Sequence, residues 1–153
     1  MNNIMMNNMD IDNTIITELS PSQLIDLKSN PKPETVFIIK FGATWCGPCQ
    51  KIKQLCENYF YNINLNYKNI TCFDIDVDES IELYLFLKKK RRLSGLPTIL
   101  AYYGGNTESD YWYIENDSVV GADENLVSQF FERCIQYSTK SDVLIDKMSN
   151  TNI

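Results

Sequence analysis

Residues 36–55 decide the fold, and they read VFIIKFGATWCGPCQKIKQL. The first part, Val36–Ile39, is a run of β-branched and aromatic residues, which predicts a buried strand. The last part is rich in good helix formers, and Pro48 suits a first helical turn because the N–H that it lacks would have no intrahelical partner there. The stretch therefore predicts a strand that leads directly into a helix, with Cys46 and Cys49 at the junction.

The two cysteines lie where a thiol becomes reactive. Unpaired N–H groups and the positive end of the helix dipole favour an anion at a helix N-terminus. We expect them to lower the pKa of Cys46, whose thiolate is the nucleophilic form, and we expect Cys49, one turn further on, to lie within reach of a disulfide. A plain structural disulfide and half of a zinc site are the alternatives. Because zinc usually takes four ligands and the chain has no histidine, we favour redox chemistry and expect no metal and no other cofactor.

Length and composition indicate a single domain. The 153 residues are 44% hydrophobic and 22% charged, which is ordinary for a soluble globule. A net charge of −6 argues against nucleic-acid binding, and no apolar run approaches the ~20 residues that a membrane helix needs. Residues 1–13 contain no Lys or Arg and so lack the charged start of a secretory signal. Together with five cysteines, an odd number, these features predict a reducing, cytoplasmic compartment.

The rest of the chain predicts alternating strands and helices. The stretch 76–92 is ambiguous because its apolar residues alternate as in a strand, but acidic residues at its start and cations at its end favour a helix. The predicted order is strand Thr14–Leu19, helix Pro21–Lys28, strand Val36–Phe41, helix Cys49–Asn62, strand Ile70–Ile75, helix Asp76–Arg92, strand Thr98–Tyr103, a turn at 104–106, strand Asp110–Glu115 and helix Asp123–Tyr137. We predict a disordered segment over residues 1–13, one domain over 14–137 and a polar tail over 138–153.

The segment Phe41–Cys49 resembles the active-site segment of the thioredoxin family, down to its Trp-Cys-Gly-Pro-Cys core. The predicted element order is also that of the thioredoxin fold, an α/β fold with a central mixed β-sheet flanked by helices. The similarity extends over roughly 14–137. Three further matches are Ile75-Asp76 at the end of the third strand, Leu96-Pro97-Thr98 as the cis-proline loop and Gly121-Ala122 before the last helix.

The resemblance implies a protein thiol–disulfide oxidoreductase. In such a protein Cys46 attacks a substrate disulfide and Cys49 resolves the mixed disulfide, which leaves a Cys46–Cys49 bridge. The implied partners are disulfide-containing proteins as substrates and a thioredoxin reductase or the glutathione system as electron donor. A disulfide reductase is the first expectation. A protein biased toward oxidation or isomerisation, and a binding module of the same fold with slow turnover, are the alternatives.

The resemblance also assigns supporting residues around the cysteines. Trp45 is expected to shield an exposed sulfur and to offer a docking face, with an ordinary core tryptophan as the alternative. Leu96 and Pro97 are expected to form a cis peptide packed against the cysteines, which leaves the Leu96 backbone free to pair with an extended substrate. Gly47 and Pro48, between the two cysteines, complete the expected docking surface.

Lys40 departs from the family pattern. Thioredoxins usually have a buried aspartate six residues before the first cysteine, where it assists proton transfer with the resolving thiol, and this chain has a lysine there. One expectation is a lysine whose stem is buried and whose ammonium reaches solvent. The other is an ammonium near the thiols. At ~6 Å and an effective dielectric of ~20 its attraction for a thiolate would be about 2.8 kcal/mol, which would make the disulfide more oxidising.

Two further groups of residues complete the candidates. Cys72 falls where many family members have a lysine on the third strand. We expect Cys72, Cys56 and Cys134 all to be buried apolar residues. The run Lys88–Arg92 is interpreted as a solvated helix end, with a nuclear-localisation signal or an acidic-partner site as alternatives. Because this run leads to Pro97, we expect it to border the substrate groove.

Overall fold

A computed structural model describes residues 15–29, 32–104 and 110–140. The strands are β1 (Val36–Gly42), β2 (Ile70–Asp76), β3 (Thr98–Tyr103) and β4 (Asp117–Val120). The helices are α1 (Pro21–Lys28), α2 (Gly47–Lys51), α3 (Lys53–Asn66), α4 (Ile81–Lys89) and α5 (Glu124–Ser138). The strands form one sheet in the order β2-β1-β3-β4, in which β1 is parallel to β2 and antiparallel to β3, and β4 is antiparallel to β3.

Helices cover both faces of this sheet, and β1 is therefore buried along its whole length. Successive side chains of a strand point to opposite faces. Phe37 and Phe41 therefore join one core cluster, with residues of α1 and α4, while Val36 and Ile38 join another, with residues of α3 and α5. The predicted central mixed sheet flanked by helices is confirmed. The end of β1 leads through a short turn into α2, which places the cysteine pair at one end of the sheet.

The predicted first strand, Thr14–Leu19, is wrong over its described residues. Ile16 forms a single isolated bridge with Phe73, and its carbonyl accepts the N–H of Asp74 over 2.9 Å. Ile16 is 41% exposed, so this segment has little apolar surface to hold against the sheet edge. The pairing accordingly ends after one bridge. Leu19 is buried in one core cluster, and Ile15 packs partly buried against the other.

The predicted strand Asp110–Glu115 is also wrong. The segment is a turn, and the strand that pairs with β3 is β4, Asp117–Val120. Its aromatic residues are typical of a strand, but their rings pack against a helix instead of a neighbouring strand. Trp112 stacks on Phe86 of α4 with ring centroids 5.3 Å apart, and Tyr113 meets the same ring edge-on at 6.1 Å.

The helical interpretation of residues 76–92 is confirmed, with shorter bounds. The helix is α4, Ile81–Lys89. Leu83 and Leu87, which lie one turn apart, are fully buried, whereas Ile81 and Leu85 are about half exposed. The alternation that resembled a strand is therefore the two opposite sides of a helix.

The active-site helix is divided in two. The backbone leaves the helical conformation at Ile52, which has φ −101° and ψ 3°, so α2 ends there and α3 begins at Lys53. The second part continues to Asn66, beyond the predicted end at Asn62. The last predicted helix is confirmed as α5, within one residue at each end.

Some predictions fall on residues outside the described ranges. These are the disordered segment over 1–13, most of the tail over 138–153 and two residues of the turn at 104–106. The domain bounds 14–137 stay a prediction. Within the described ranges, none of the helices combines the length and the apolar character that crossing a membrane requires.

Arg91 ends α4 in a left-handed backbone conformation, with φ 60°. The next N–H, of Arg92, donates to the Leu87 carbonyl over 2.8 Å, a helix ending that usually has glycine at the left-handed position. Because a side chain is strained there, we expect Arg91→Gly to raise the free energy of unfolding by about 0.5–1 kcal/mol, measured by urea denaturation. Lys90→Gly, at φ −81°, is the matched control and should lower it by a similar amount. A less stable Arg91→Gly protein would contradict this account of the helix end.

Candidate active site

Cys46 and Cys49 form a disulfide at the start of α2, with their Cα atoms 5.3 Å apart. Cys46 immediately precedes the helix and has extended backbone, so its Sγ accepts the N–H of Cys49 over 3.2 Å. The sulfur thereby takes the position of the side-chain oxygen that usually caps a helix. The same N–H is placed to stabilise a Cys46 thiolate after reduction, which is the environment that the sequence predicts.

The cysteine pair is less exposed than the sequence predicts. Cys46 is 6% exposed and Cys49 is 3% exposed, whereas Trp45 is 69% exposed. The expectation of an exposed Cys46 sulfur is therefore wrong for the disulfide form, and so is the alternative of a core tryptophan. The indole N–H of Trp45 donates to Oδ2 of Asp78 over 2.8 Å, which holds the edge of the ring while most of its surface stays open to a partner.

A groove beside the disulfide is lined by Gly47, Pro48, Leu96 and the turn that begins at Gly121. The peptide bond between Leu96 and Pro97 is cis. The Pro97 carbonyl accepts the N–H of Gly121 over 2.9 Å, which ties the two loops together. Gly121 has φ +92°, a conformation that a residue with a side chain rarely adopts. The structure thus brings Leu96 beside the two residues that separate the cysteines.

Lys40 lies in the wall of a second cavity, beside Cys49. It stands opposite Asp74 in the parallel pairing of β1 and β2, and its Nζ lies 3.4 Å from Oδ1 of Asp74. Both residues line one cavity together with Cys49 and Gly42. The Lys40 side chain is 7% exposed and that of Asp74 is 30% exposed. The expectation of an ammonium that reaches solvent is therefore wrong. Lys40 shares the lining of this cavity with Cys49, and the Asp74 carboxylate opposes the charge of its ammonium.

The sequence does not predict a role in the site for three residues that lie near the cysteines, namely Gly42, Asp74 and Asp78. A Cβ on Gly42 would lie 3.5 Å from Sγ of Cys49, so the chain passes close to this sulfur. Asp74 could have been found, because it and Lys40 are both the fifth residue of neighbouring parallel strands. No sequence pattern indicates the role of Asp78, because its contact is with the indole of Trp45, 33 residues away in the chain.

The other three cysteines, Cys56, Cys72 and Cys134, are free thiols buried in the core, as predicted. Burial raises the pKa of Cys56 to about 11 and that of Cys134 to about 12, and it also raises the pKa of Cys72. All three thiols therefore stay protonated at neutral pH, where a buried protonated thiol is a poor nucleophile.

The raised pKa of Cys56 predicts a loss of stability in alkali. The thiol ionises at about pH 9.0 in ordinary surroundings and at about 11 in the folded chain, so the unfolded chain loses this proton first. The free energy of unfolding should be independent of this group below pH 9 and should fall by roughly 2–3 kcal/mol between pH 9 and 11. Urea denaturation over this range, compared with Cys56→Val, isolates the effect. Parallel pH profiles for the two proteins would contradict it.

The fold and the site define a class of protein. A mixed sheet presents a Cys-x-x-Cys disulfide at a strand-to-helix junction, next to an exposed tryptophan and a cis-proline loop. Over the described ranges, no cluster of three or more His, Cys, Asp or Glu side chains could hold a metal ion. The arrangement is suited to exchange between a dithiol and a disulfide, the chemistry of thiol–disulfide oxidoreductases.

Comparisons with known proteins agree with this class. The thioredoxin family model matches residues 26–129. The chain is 32% identical over 130 residues to Thioredoxin 3 of Plasmodium falciparum, and the alignment covers 84% of this chain and 65% of that protein, just under two thirds of its length. It is 29% identical over 117 residues to Thioredoxin-2 of Saccharomyces cerevisiae, covering 75% of this chain and 94% of that protein.

Solved structures give the same result. A crystal structure of a Plasmodium falciparum thioredoxin is similar with a TM-score of 0.52 and 32% identity, covering 76% of this chain and 84% of that chain. A thioredoxin of Malassezia sympodialis has a TM-score of 0.56 at 22% identity, covering 80% and 90%, and supports the fold alone. The chain belongs to the thioredoxin family. Members of this family are thiol–disulfide oxidoreductases, the class that the Cys46–Cys49 pair supports here.

Proposed function

We propose that the chain is a protein disulfide reductase in which Cys46 is the nucleophile and Cys49 is the resolving thiol. The observation that carries this assignment is the position of Cys46 as the cap of α2, where its sulfur accepts the Cys49 N–H. Cys46 is also the more exposed of the two cysteines, although both are largely buried in the disulfide form. The cap position therefore favours Cys46 over Cys49 as the attacking sulfur.

The reaction transfers two electrons to the substrate. The Cys46 thiolate attacks one sulfur of a substrate disulfide, and the other substrate sulfur leaves and takes up a proton. Cys49 then loses its proton and attacks Sγ of Cys46. The mixed disulfide breaks, the second substrate sulfur leaves as a thiol, and the Cys46–Cys49 disulfide forms. A donor dithiol, or two molecules of a monothiol such as glutathione, then returns two electrons and two protons to the pair.

The groove beside the disulfide supports a role in docking for Gly47, Pro48 and Leu96, which line it. The resemblance assigns the same role to Trp45, which is 69% exposed, and to Pro97, which follows Leu96. An extended substrate segment that lies in this groove would meet the Leu96 loop on one side and the residues between the cysteines on the other. The substrates proposed are disulfide-containing proteins, and the proposed donor is a thioredoxin reductase or the glutathione system in a reducing, cytoplasmic compartment.

The Lys40–Asp74 pair supports a reductase over an oxidising or isomerising protein. A lone ammonium beside the thiols would stabilise a thiolate and hence the reduced protein. Here a carboxylate lies 3.4 Å from the ammonium, so the two charges act on the cysteines as a dipole whose field falls faster with distance than that of one charge. The strong oxidising bias that Lys40 alone would give is therefore not expected.

Removing one partner of this pair should shift the reduction potential in a direction set by the remaining charge. Asp74→Asn leaves the Lys40 ammonium unopposed, so the potential should rise by about 30 mV. Lys40→Met leaves the carboxylate, so the potential should fall by a similar amount. The double variant restores local neutrality and should return toward wild type. Equilibration of each protein with glutathione measures all four values, and unchanged potentials in both single variants would end the electrostatic role of Lys40.

Reduction of insulin in the presence of NADPH and thioredoxin reductase tests the proposed function. The wild-type chain should accelerate insulin precipitation, and Cys46→Ser should not. Replacing the reductase with glutathione and glutathione reductase identifies the donor system. A wild-type chain that is no faster than Cys46→Ser with either donor would favour a binding module that retains the fold.

A further inference from the structure

Helix α4 presents an unusual exposed side to solvent. Ile81 and Leu85, one turn apart, are 51% and 54% exposed, and Lys88 and Lys89 follow in the next turn. Residues at these spacings lie on one side of a helix. The opposite side holds Leu83, which is fully buried. We call the region formed by the stripe Ile81, Leu85, Lys88 and Lys89, together with Lys90 and Arg91 just after the helix, the α4 surface.

The cations of the α4 surface are consecutive in the chain, and two of them lie over aromatic rings. Residues 88–91 are four consecutive exposed cations in a chain whose net charge is −6. The three ion pairs found over the described ranges involve Lys40, Arg92 and Arg133, and none involves residues 88–91. Lys88 lies 5.6 Å from the centre of the Tyr84 ring, and Lys90 lies 5.0 Å from that of Tyr113.

Arg91 adds an independent argument. Its backbone has φ 60°, a conformation that glycine adopts at less cost. An arginine at this position keeps a positive charge at the expense of stability. Such an exchange of stability for a particular side chain is typical of functional positions.

The α4 surface is connected to the disulfide at both ends. Asp78, just before the helix, accepts the indole N–H of Trp45, which precedes Cys46. After the helix, Arg91 is five residues from Leu96, so the two Cα atoms are at most about 17 Å apart. Leu96 lines the groove beside the disulfide. A protein whose disulfide lies at Cys46 can therefore extend over the α4 surface.

We propose that the α4 surface binds an acidic segment, containing apolar residues, that flanks the disulfide of a protein substrate. The inference rests on the proposed function and defines the class of substrate that the site prefers. The cations attract the acidic residues, and Ile81 and Leu85 offer apolar contact next to them. A nucleic acid fits less well, because Asp78, Glu79 and Glu82 at the other end of the helix would repel its phosphates.

The test uses two synthetic peptides with the same intramolecular disulfide, flanked on one side by a block of either glutamates or lysines. The full reduced chain is mixed with each peptide, and the second-order rate constant of reduction is measured at about 0.05 M and at about 0.5 M salt. The variant K89E/R91E reverses two cations of the α4 surface. The milder K89Q/R91Q keeps the test valid if charge reversal impairs folding.

A control with the same change in net charge is K68E/K140E. Lys68 and Lys140 are exposed. Lys68 just precedes β2, whose first residues lie at the end of the sheet away from the disulfide. Lys140 follows α5, and the carbonyl of Ser138 in that helix accepts the side-chain N–H of Asn69 over 2.7 Å. Both control residues therefore lie toward the end of the sheet that is away from the disulfide.

We expect the wild-type chain to reduce the glutamate peptide faster than the lysine peptide at low salt. K89E/R91E should lose about tenfold in rate on the glutamate peptide alone, and high salt should remove most of the difference. K89Q/R91Q should lose about threefold, and K68E/K140E should stay near wild type. Equal losses in the α4 and control variants, or equal losses on both peptides, would overturn the proposal while leaving the reductase intact.

Two other outcomes would also overturn it. A wild-type chain that reduces neither peptide would end the proposed function and the inference with it. Binding of a single-stranded oligonucleotide that is lost in K89E/R91E would assign the surface to nucleic acid. A dimer that is present in the wild type and lost in K89E/R91E, measured by sedimentation, would assign it to a second copy of the chain.

Discussion

Cys46→Ser should abolish disulfide reduction, whereas Cys49→Ser should stop the reaction at the mixed disulfide. Serine at 46 keeps a cap for α2 but is not ionised at neutral pH, so the attacking group is lost and the rate should fall by roughly three orders of magnitude. Serine at 49 leaves the attack intact but removes the group that breaks the mixed disulfide. Mass spectrometry of Cys49→Ser after exposure to a disulfide peptide should show one covalently attached peptide, on Cys46.

The control for this pair is Cys134→Ala, which removes a thiol that is fully buried in α5. It should retain the rate of reduction. A Cys46→Ser protein that still cleaves disulfides, or a Cys49→Ser protein that traps its substrate on any other cysteine, would contradict the assigned roles.

Phe131→Ala should cost about 3–5 kcal/mol of the free energy of unfolding. Phe131 is fully buried in α5, stacked on Tyr59 at 4.6 Å between centroids and edge-on to Phe60 at 5.7 Å. Truncation removes these ring contacts and leaves a cavity between α5 and α3. A domain of this size has a total stability of about 5–15 kcal/mol, so the loss is a large share of it.

Urea denaturation measures this effect against Leu126→Ala, a truncation in the same helix at a residue that is 49% exposed. The control should change stability by about 0.5 kcal/mol or less. Similar losses for the two variants would mean that the cluster between α3 and α5 is not the core that the structure describes.

Local patterns in the sequence predict most of the elements that carry the site. The strand Val36–Phe41 and the position of the cysteine pair after it are predicted from two local signals alone. These are the run of apolar residues and the helix-start signals around Pro48. The last helix was predicted within one residue at each end, because Val127, Phe130, Phe131 and Cys134 recur at helical spacing and all become buried. Where one side of an element is buried and the other exposed, its period is visible in the sequence.

The failures lie where tertiary contacts override local propensity. The aromatic run Tyr111–Tyr113 has the composition of a strand, yet its rings pack on Phe86 of α4, and the sequence does not show which element they meet. The counter-charge of Lys40 was also missed. Asp74 lies 34 residues away, and only the register of two strands brings them together.

That register determines which charges lie in the cavity beside Cys49. Lys40 by itself suggests an oxidising protein, because a positive charge near the thiols stabilises the reduced form. Once Asp74 stands opposite it, the site holds one positive and one negative charge in the cavity beside Cys49. The Lys40–Asp74 pair therefore favours the proposed reductase, although this chain lacks the buried aspartate that the family usually has at this position of the first central strand.

The reduction potential of the Cys46–Cys49 pair tests this account most directly. Equilibration of the wild-type chain with mixtures of reduced and oxidised dithiothreitol, read by mass spectrometry after alkylation, should give one two-electron transition. We expect a midpoint of about −270 mV, the value typical of thioredoxins as a family. A midpoint at about −180 mV or above, the range of disulfide isomerases and oxidases, would contradict the assignment as a reductase.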